Sequence, residues 1–410
     1  MDIRKASLAL HKENQGKISV VSKVPVSNKE ELSLAYSPGV AEPCLAIAKE
    51  KDLVYDYTAK GNLVAVVSNG TAVLGLGDIG ALAAMPVMEG KAVLFKEFAG
   101  IDAVPICLDT KDPDDVIEVV KNIAPTFGGI NLEDIKAPEC FYIEEELKSI
   151  LDIPVFHDDQ HGTAVVALAG LINSAKITNK KMEDFNVVIN GAGAAGTAIA
   201  KLLIRVGIKN VAVLDRSGAI YEGRGNLNEA KKDLARILPK RTGSLADELR
   251  GADVFIGVST KDIVTPEMVK SMNRDPIIFA LANPDPEIDP KLALESGALI
   301  VSTGRSDYPN QINNVLGFPG IFRGALAVRA TSISEGMKEK AAEAIAQCVK
   351  EPLPEMIIPS PFNPEVPAAV AKAVAKAAID EGLARVSDID LDRLKEEVGK
   401  DFQASKRRGR

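Results

Sequence analysis

The chain has 410 residues, enough for two or three domains. Apolar residues make up 46% of it and charged residues, of both signs, 26%, which supplies a core and excludes a disordered chain. A net charge of −8 argues against a general affinity for nucleic acid or an anionic membrane, and no apolar stretch is long enough to span a bilayer. Cys44, Cys107, Cys140 and Cys348 stand far apart with no C-x-x-C. This excludes a disulfide framework or a structural zinc site and fits a reducing, cytoplasmic setting, as does an N-terminus without an apolar leader.

Residues 1–160 alternate short helical and strand-like runs, among them LVAVVSNG, AVLFKEF, AVPICLD and IPVFHDD. Residues 161–310 alternate more regularly. FNVVING, VAVLDRS, DVFIGVS, IIFALAN and ALIVSTG read as strands with helical stretches between them, which predicts a doubly wound parallel sheet covered on both faces. Residues 311–410 read as mostly helical, in SISEGMKEKAAEAIAQCV, PEVPAAVAKAVAKAAIDEGLA and LDRLKEEVGKDF. The fold class is therefore α/β, with a Rossmann-type domain beside an N-terminal α/β domain.

The strongest local signal is the segment from Phe185 to Asp215. A buried-type strand enters Gly191-Ala192-Gly193-Ala194-Ala195-Gly196, an apolar helix follows, and a second strand ends at Asp215. The first glycine permits the tight turn, the second lets a pyrophosphate approach the backbone, and the third lets helix and strand pack. The free N–H groups of the helix start would face the phosphates, and the Asp215 carboxylate would accept from an adenosine ribose diol. A free carboxylate repels a 2′-phosphate and favours NAD, whereas Arg216 and Arg224 stand near enough in sequence to receive one.

VFHDDQHGTA raises a different chemistry. His157 and His161 are four apart, but a strand-like run precedes them, Gly162 follows, and no glutamate fills the H-E-x-x-H pattern. The segment reads as a strand end and loop before a helix GTAVVALAGLINSA. Asp158 and Asp159 suit a hard cation such as Mg²⁺ or Mn²⁺ better than zinc, and either ion needs more oxygen ligands. A second acidic pair, Glu133-Asp134, follows another strand-like run. Taken alone, Glu133-Asp134 reads better as a helix cap with an acidic first turn, and Asp158-Asp159 reads equally well as a capping pair. His11 is expected in solvent.

In order, AYSPGVAEPC, VLGLGDIGALAAMPVMEGKAVLF, GGINLEDI, VFHDDQHGTAVVALAGL, GAGAAG, FALANPDPEI and NQINNVLGFPGIFRGAL make the sequence resemble the malic enzyme family. The resemblance implies oxidative decarboxylation of L-malate to pyruvate and CO₂, with reduction of NAD or NADP and a divalent cation, Mg²⁺ or Mn²⁺. Malolactic chemistry, in which NAD is recycled and lactate released, is the alternative.

Carried over residue by residue, the resemblance implies Glu133, Asp134 and Asp159 as metal ligands and Asp158 as their acidic neighbour. It implies Tyr36 as general acid, Lys91 as general base, and Asn283 and Asn314 as substrate contacts, with Asn283 also near the cofactor. A lysine base requires a lowered pKa. His157 and His161 then fall to supporting or packing roles. Ala72 stands where longer family members have an arginine for a substrate carboxylate, leaving Arg329, Lys91 or backbone N–H groups to replace it. The resemblance further implies a homodimer, in which Tyr36 can reach a partner's site, and C-terminal helices that return to the N-terminal domain.

Overall fold

The computed structural model describes residues 2–408. Two parallel sheets organise them. The first contains β1 (Leu63–Ser68), β2 (Asp102–Cys107), β3 (Gly129–Leu132) and β4 (Val155–His157) in the order β2-β1-β3-β4. Every pairing is parallel. Parallel neighbours need long crossovers, and helices Ala81–Ala99, Pro113–Ile123 and Glu139–Ile150 supply them. These helices and the C-terminal helices bury both faces. Accordingly Val64, Ala65, Val66 and Val67 run consecutively with no exposure, a pattern with no polar alternation.

The second sheet contains β5 (Asn186–Asn190), β6 (Asn210–Asp215), β7 (Gly218–Ala219), β8 (Val254–Gly257), β9 (Ile277–Ala280) and β10 (Ile300–Thr303). The order is β10-β9-β8-β5-β6-β7, parallel except for the short β7. The strand FNVVING predicts is β5, flanked by β6 on one side and β8 on the other. Where the strand order reverses in this way, the crossovers diverge and leave a crevice beyond the strand ends.

One local reading is decided and another changes. AVLFKEF, left open between helix and strand, is the second half of the helix Ala81–Ala99, so Lys91 lies inside a helix. The helix expected to open at Gly162 opens at Asp158 and runs to Thr178. His157 ends β4, and the two aspartates form the first helical turn, where carboxylates are favoured by the N-terminal dipole. This helix is buried on most sides and joins the two sheets, touching both the helix Ala194–Arg205 and the helix Glu335–Gln347.

The C-terminal helices Phe318–Ala327, Glu365–Asp380 and Leu391–Arg408 return to the first sheet. Phe318 and Phe322 stack edge-on against Phe95, with ring centroids 4.7 and 5.2 Å away, and Phe322 also meets Phe156. Gly320 and Gly324 let this helix approach Glu365–Asp380. A Cβ on Gly324 would lie 2.4 Å from the carbonyl oxygen of Ala371. Because Phe322 is fully buried between elements far apart in sequence, Phe322→Ala is expected to cost about 3–5 kcal/mol. An earlier urea midpoint would register it, and an unchanged midpoint would mean this junction does not hold the C-terminal helices in place.

Candidate active site

Strands β3 and β4 are neighbours with Leu132 paired to His157. The residues that follow each strand therefore emerge side by side at the carboxyl edge of the sheet. Glu133 and Asp134 come from one strand, Asp158 and Asp159 from the other. Asp134 adopts a positive φ of 53°, which turns the chain back, and its N–H donates to Asp159 Oδ2 at 2.8 Å. Carboxylate oxygens of Glu133, Asp134 and Asp159 all lie within 4.8 Å of one another.

Lys91 reaches this group from the helix Ala81–Ala99. Its Nζ lies 2.6 Å from Asp158 Oδ2, 3.0 Å from Glu133 Oε1 and 4.3 Å from the centre of the Phe318 ring. Lys91 is 7% exposed and Asp158 fully buried. Asn131 donates to Glu133 Oε2 at 2.8 Å. Asp134 Oδ2 and Asp158 Oδ1 are buried without a hydrogen-bond partner. Gly162 is required here, since a Cβ would fall 1.9 Å from Asp158 Oδ1 and 2.9 Å from Asn314 Cβ. The same contact places Asn314 beside Asp158.

The electrostatics carry one message. Burial pushes the Glu133 carboxyl well above its ordinary value; Lys91 opposes the rise and Asp159 adds to it. Burial and Asp159 push Asp134 up to about 7. Burial also raises Asp158, against the pull of Lys91. For Lys91 burial favours the neutral amine, yet Asp158 and Glu133 outweigh it and hold the ammonium above its ordinary range. Four carboxylates face one ammonium, an excess of negative charge that buried groups do not tolerate unbalanced. A hard divalent cation fits both the oxygen donors and the unpartnered Asp134 oxygen.

The histidines do other work. His157 Nε2 lies 3.4 Å from Asp159 Oδ2. His161 Nε2 lies 2.9 Å from Glu144 Oε2, and its Nδ1 lies 3.0 Å from Lys338 Nζ. Burial, opposed by Glu144, drives His161 down to about 4. Burial works against a charged Glu144, but contact with His161 and the charges of Lys148 and Lys338 hold it well below its ordinary value. His11 is half-buried rather than in solvent, and its Nδ1–H donates to the Ser7 carbonyl oxygen.

Not every candidate joins the cluster. Tyr36 is 69% exposed, just past the helix Lys29–Ala35, and its hydroxyl bonds none of these residues. Arg329 is paired with Asp56 and stacked on Tyr55. It is thus engaged away from the acidic cluster. Asn283 follows β9; its side chain would lie 3.0 Å from a Cβ at Gly304, and its carbonyl 2.5 Å from one at Gly75. The glycine-rich loop after β1 therefore touches the second sheet's domain at Asn283, which locates one wall of the cleft.

Across this cleft lies the glycine turn. Gly191 has φ +125° and lies against the Val258 carbonyl, and Gly196 lies against that of Gly191. A Cβ at Gly193 would meet nothing within 4 Å, so this glycine keeps the surface open where a pyrophosphate would approach. Gly193 caps the helix Ala194–Arg205 without a side chain, leaving N–H groups free. A crevice of about 530 Å³ runs from Gly191, Ala192 and Gly193 to Asp215. Ala194 packs against the apolar cluster that contains Leu132 and Ile135, which brings the glycine turn to the end of the first sheet that carries the acidic pairs. Asp215 is not a free carboxylate. Its Oδ2 accepts from Arg224 and Lys231, each at 2.6 Å, and its Oδ1 from the Ser217 N–H. Burial notwithstanding, these bonds hold it below the usual carboxylate range.

Sequence reasoning missed Lys231, Gly162, Asn131 and Glu144. The signal for Gly162 was its position one turn after Asp158; Lys231 and Glu144 lie outside every motif and had none.

Comparison with known proteins identifies the family. Residues 15–148 match the malic enzyme N-terminal domain and residues 160–379 the malic enzyme NAD binding domain. The chain is 58% identical to the bifunctional malic/malolactic enzyme of Bacillus subtilis, covering 98% of each chain. It is 59% identical to the NAD-dependent malic enzyme of Geobacillus stearothermophilus, over 92% of this chain and 79% of that one. The crystal structure of malic enzyme from Pyrococcus horikoshii superposes with a TM-score of 0.90 at 49% identity, covering 99% of this chain and 97% of that one. With an acidic cluster, a buried lysine and a dinucleotide turn, the chain belongs to the malic enzyme family and is an NAD(P)-dependent oxidoreductase.

Proposed function

We propose that the chain converts L-malate to pyruvate and CO₂, reducing NAD⁺ or NADP⁺, with a divalent cation held by Glu133, Asp134 and Asp159. The observation that carries this reading is the convergence of those three carboxylates beside buried Lys91, at the sheet end against which Ala194 of the glycine turn packs. A cation bound there would supply Lewis acidity, acidifying the C2 hydroxyl of malate and withdrawing charge from the keto oxygen once it forms.

The protein's own groups do the rest. Lys91 takes the C2 hydroxyl proton as hydride leaves C2 for the nicotinamide. It can do so only as the neutral amine, which burial favours and the surrounding carboxylates oppose. Compensation of the carboxylate charge therefore sets whether Lys91 is a base. Asp158 orients Lys91 through the 2.6 Å contact and receives its ammonium afterwards. Asn314, beside Asp158, and Asn283, against Gly75 and Gly304, would hold substrate amide-to-carboxylate. The keto acid then loses its C4 carboxylate, and the enol takes a proton at C3 from Tyr36.

Tyr36 belongs to a segment that a single chain leaves uncovered. No residue from 2 to 59 is buried, and Leu8, Val20, Val21, Leu34 and Leu45 are each at least 65% exposed. An ordered arm with that much apolar surface fits burial against a second copy. In the proposed homodimer, Tyr36 completes the partner's site. The cofactor site accepts either dinucleotide, since Arg224 and Lys231 neutralise Asp215 and Arg216 adds positive charge where a 2′-phosphate would sit. Four free cysteines accord with a cytoplasmic enzyme. Among the described residues no helix is long and apolar enough to cross a membrane.

The name of the Bacillus subtilis relative favours a second reading, in which NADH stays bound and reduces pyruvate to lactate. Product analysis separates the two. Stoichiometric NAD(P)H with pyruvate supports the first, and lactate without net NADH the second. Lys91→Ala is expected to lower turnover by about 10²–10⁴-fold, the usual contribution of a general base, while cofactor affinity stays near that of the parent. Near-normal turnover in that variant would refute the base assignment. Mixing inactive Tyr36→Phe and Lys91→Ala subunits should restore activity, because one site of each mixed dimer is intact. No recovery after exchange of subunits would place Tyr36 in its own chain's site.

A further inference from the structure

Behind the acidic cluster lies a buried polar chain that the proposed chemistry does not use. Glu144, on the helix Glu139–Ile150, is 5% exposed, and both its oxygens are occupied. Oε1 accepts from the backbone N–H of His157 at 3.0 Å and lies 2.8 Å from Lys148 Nζ. Oε2 accepts from Gln160 Nε2 at 3.1 Å and from His161 Nε2 at 2.9 Å. Three of these four partners belong to residues 157, 160 and 161, which bracket Asp158 and Asp159. Lys338, 1% exposed on the helix Glu335–Gln347, meets His161 Nδ1 at 3.0 Å and Glu335 Oε1 at 2.5 Å. An ammonium has only protons to give, so Nδ1 carries the lone pair and the Nε2–H donates to Glu144. The imidazole is thereby locked in one tautomer and one orientation.

We infer that Lys338, His161 and Glu144 form a positioning relay that fixes the direction of Asp158 and Asp159, tying the cation-binding turn to a C-terminal helix nearly 180 residues downstream. The argument is geometric and rests on the proposed cation site. The first turn of a helix has N–H groups without intrahelical partners, so outside contacts help to fix its side chains. Here the His157 side chain does not cap the turn. Glu144 instead grips it from outside, accepting from the backbone N–H of His157, just before the turn, and from the side-chain Nε2 of Gln160 within it. Glu144 is itself oriented by His161, and His161 by Lys338. A buried ammonium is costly to retain for packing alone, since an apolar side chain of similar length fills the same volume. Its retention is accounted for by the contact it makes.

The test uses full-length protein and Mn²⁺ alone as the probe, with free Mn²⁺ read by electron paramagnetic resonance and NAD⁺ affinity measured in parallel. Lys338→Met is expected to weaken Mn²⁺ binding about 10-fold, the lower end for groups that orient metal ligands, and to leave NAD⁺ binding within twofold. Glu144→Gln should weaken it further. The double variant Glu144→Gln/Lys338→Met removes both buried charges and is expected to recover thermal stability without recovering Mn²⁺ affinity. Should the single variant not fold, the double variant carries the test. Mn²⁺ affinity that returns with stability, or that never falls, overturns the relay and makes these residues structural only. If the parent protein itself binds no Mn²⁺, it is the cation site that fails, a result distinct from failure of the relay.

Discussion

Everything at the site follows from the register of two short parallel strands. Leu132 is paired with His157, so Glu133-Asp134 and Asp158-Asp159, 25 residues apart in the chain, leave the sheet at the same place. A slip of one residue would turn one acidic pair away from the other. Fully buried Ile130, Leu132, Val155 and Phe156 prevent that slip, because each would exchange one packed face for another. The core of the N-terminal sheet thus holds like charges together that would separate in water.

The cost of that arrangement appears in the acidities. Glu133, Asp134 and Asp158 are all pushed upward, while Lys91 is held as an ammonium by the charge it neutralises. The balance of charge in one small volume therefore couples the proposed cation site to the proposed base. The same logic recurs in the cofactor crevice, where Asp215 is quenched by Arg224 and Lys231 instead of standing free to repel a phosphate. In both places a side chain's neighbours, more than its identity, set its chemistry.

The second sheet was legible almost strand for strand, because continuous apolar runs separated by amphipathic helices have few other solutions. The glycine fingerprint was legible for the same reason, as each glycine answers a steric demand visible at Gly191 and Gly196. The acidic pairs were legible as residues, but not as partners, without the family resemblance. Nothing local says that β3 and β4 are neighbours. AVLFKEF stayed open between helix and strand because a short apolar run carries no period, and the helix it belongs to is buried on several faces. The start of the helix at Asp158 was hidden by Gly162, which reads as a breaker but serves as clearance for Asp158. Tyr36 lay in a recognisable motif, yet nothing local in the sequence said that it would stand exposed and apart from the acidic cluster. Glu144 and Lys338 left no trace, since a polar residue on a helix reads as solvent-facing until packing shows otherwise.

The central claim is that three carboxylates from two neighbouring strand ends hold one divalent ion beside Lys91. The direct measurement is anomalous scattering at the manganese edge from crystals grown with Mn²⁺ and an unreactive dicarboxylate analogue of malate. The account predicts one strong peak bonded to oxygens of Glu133, Asp134 and Asp159, with the analogue between it and Lys91. A peak elsewhere, or an analogue bound in this cleft with no metal at those oxygens, would contradict it.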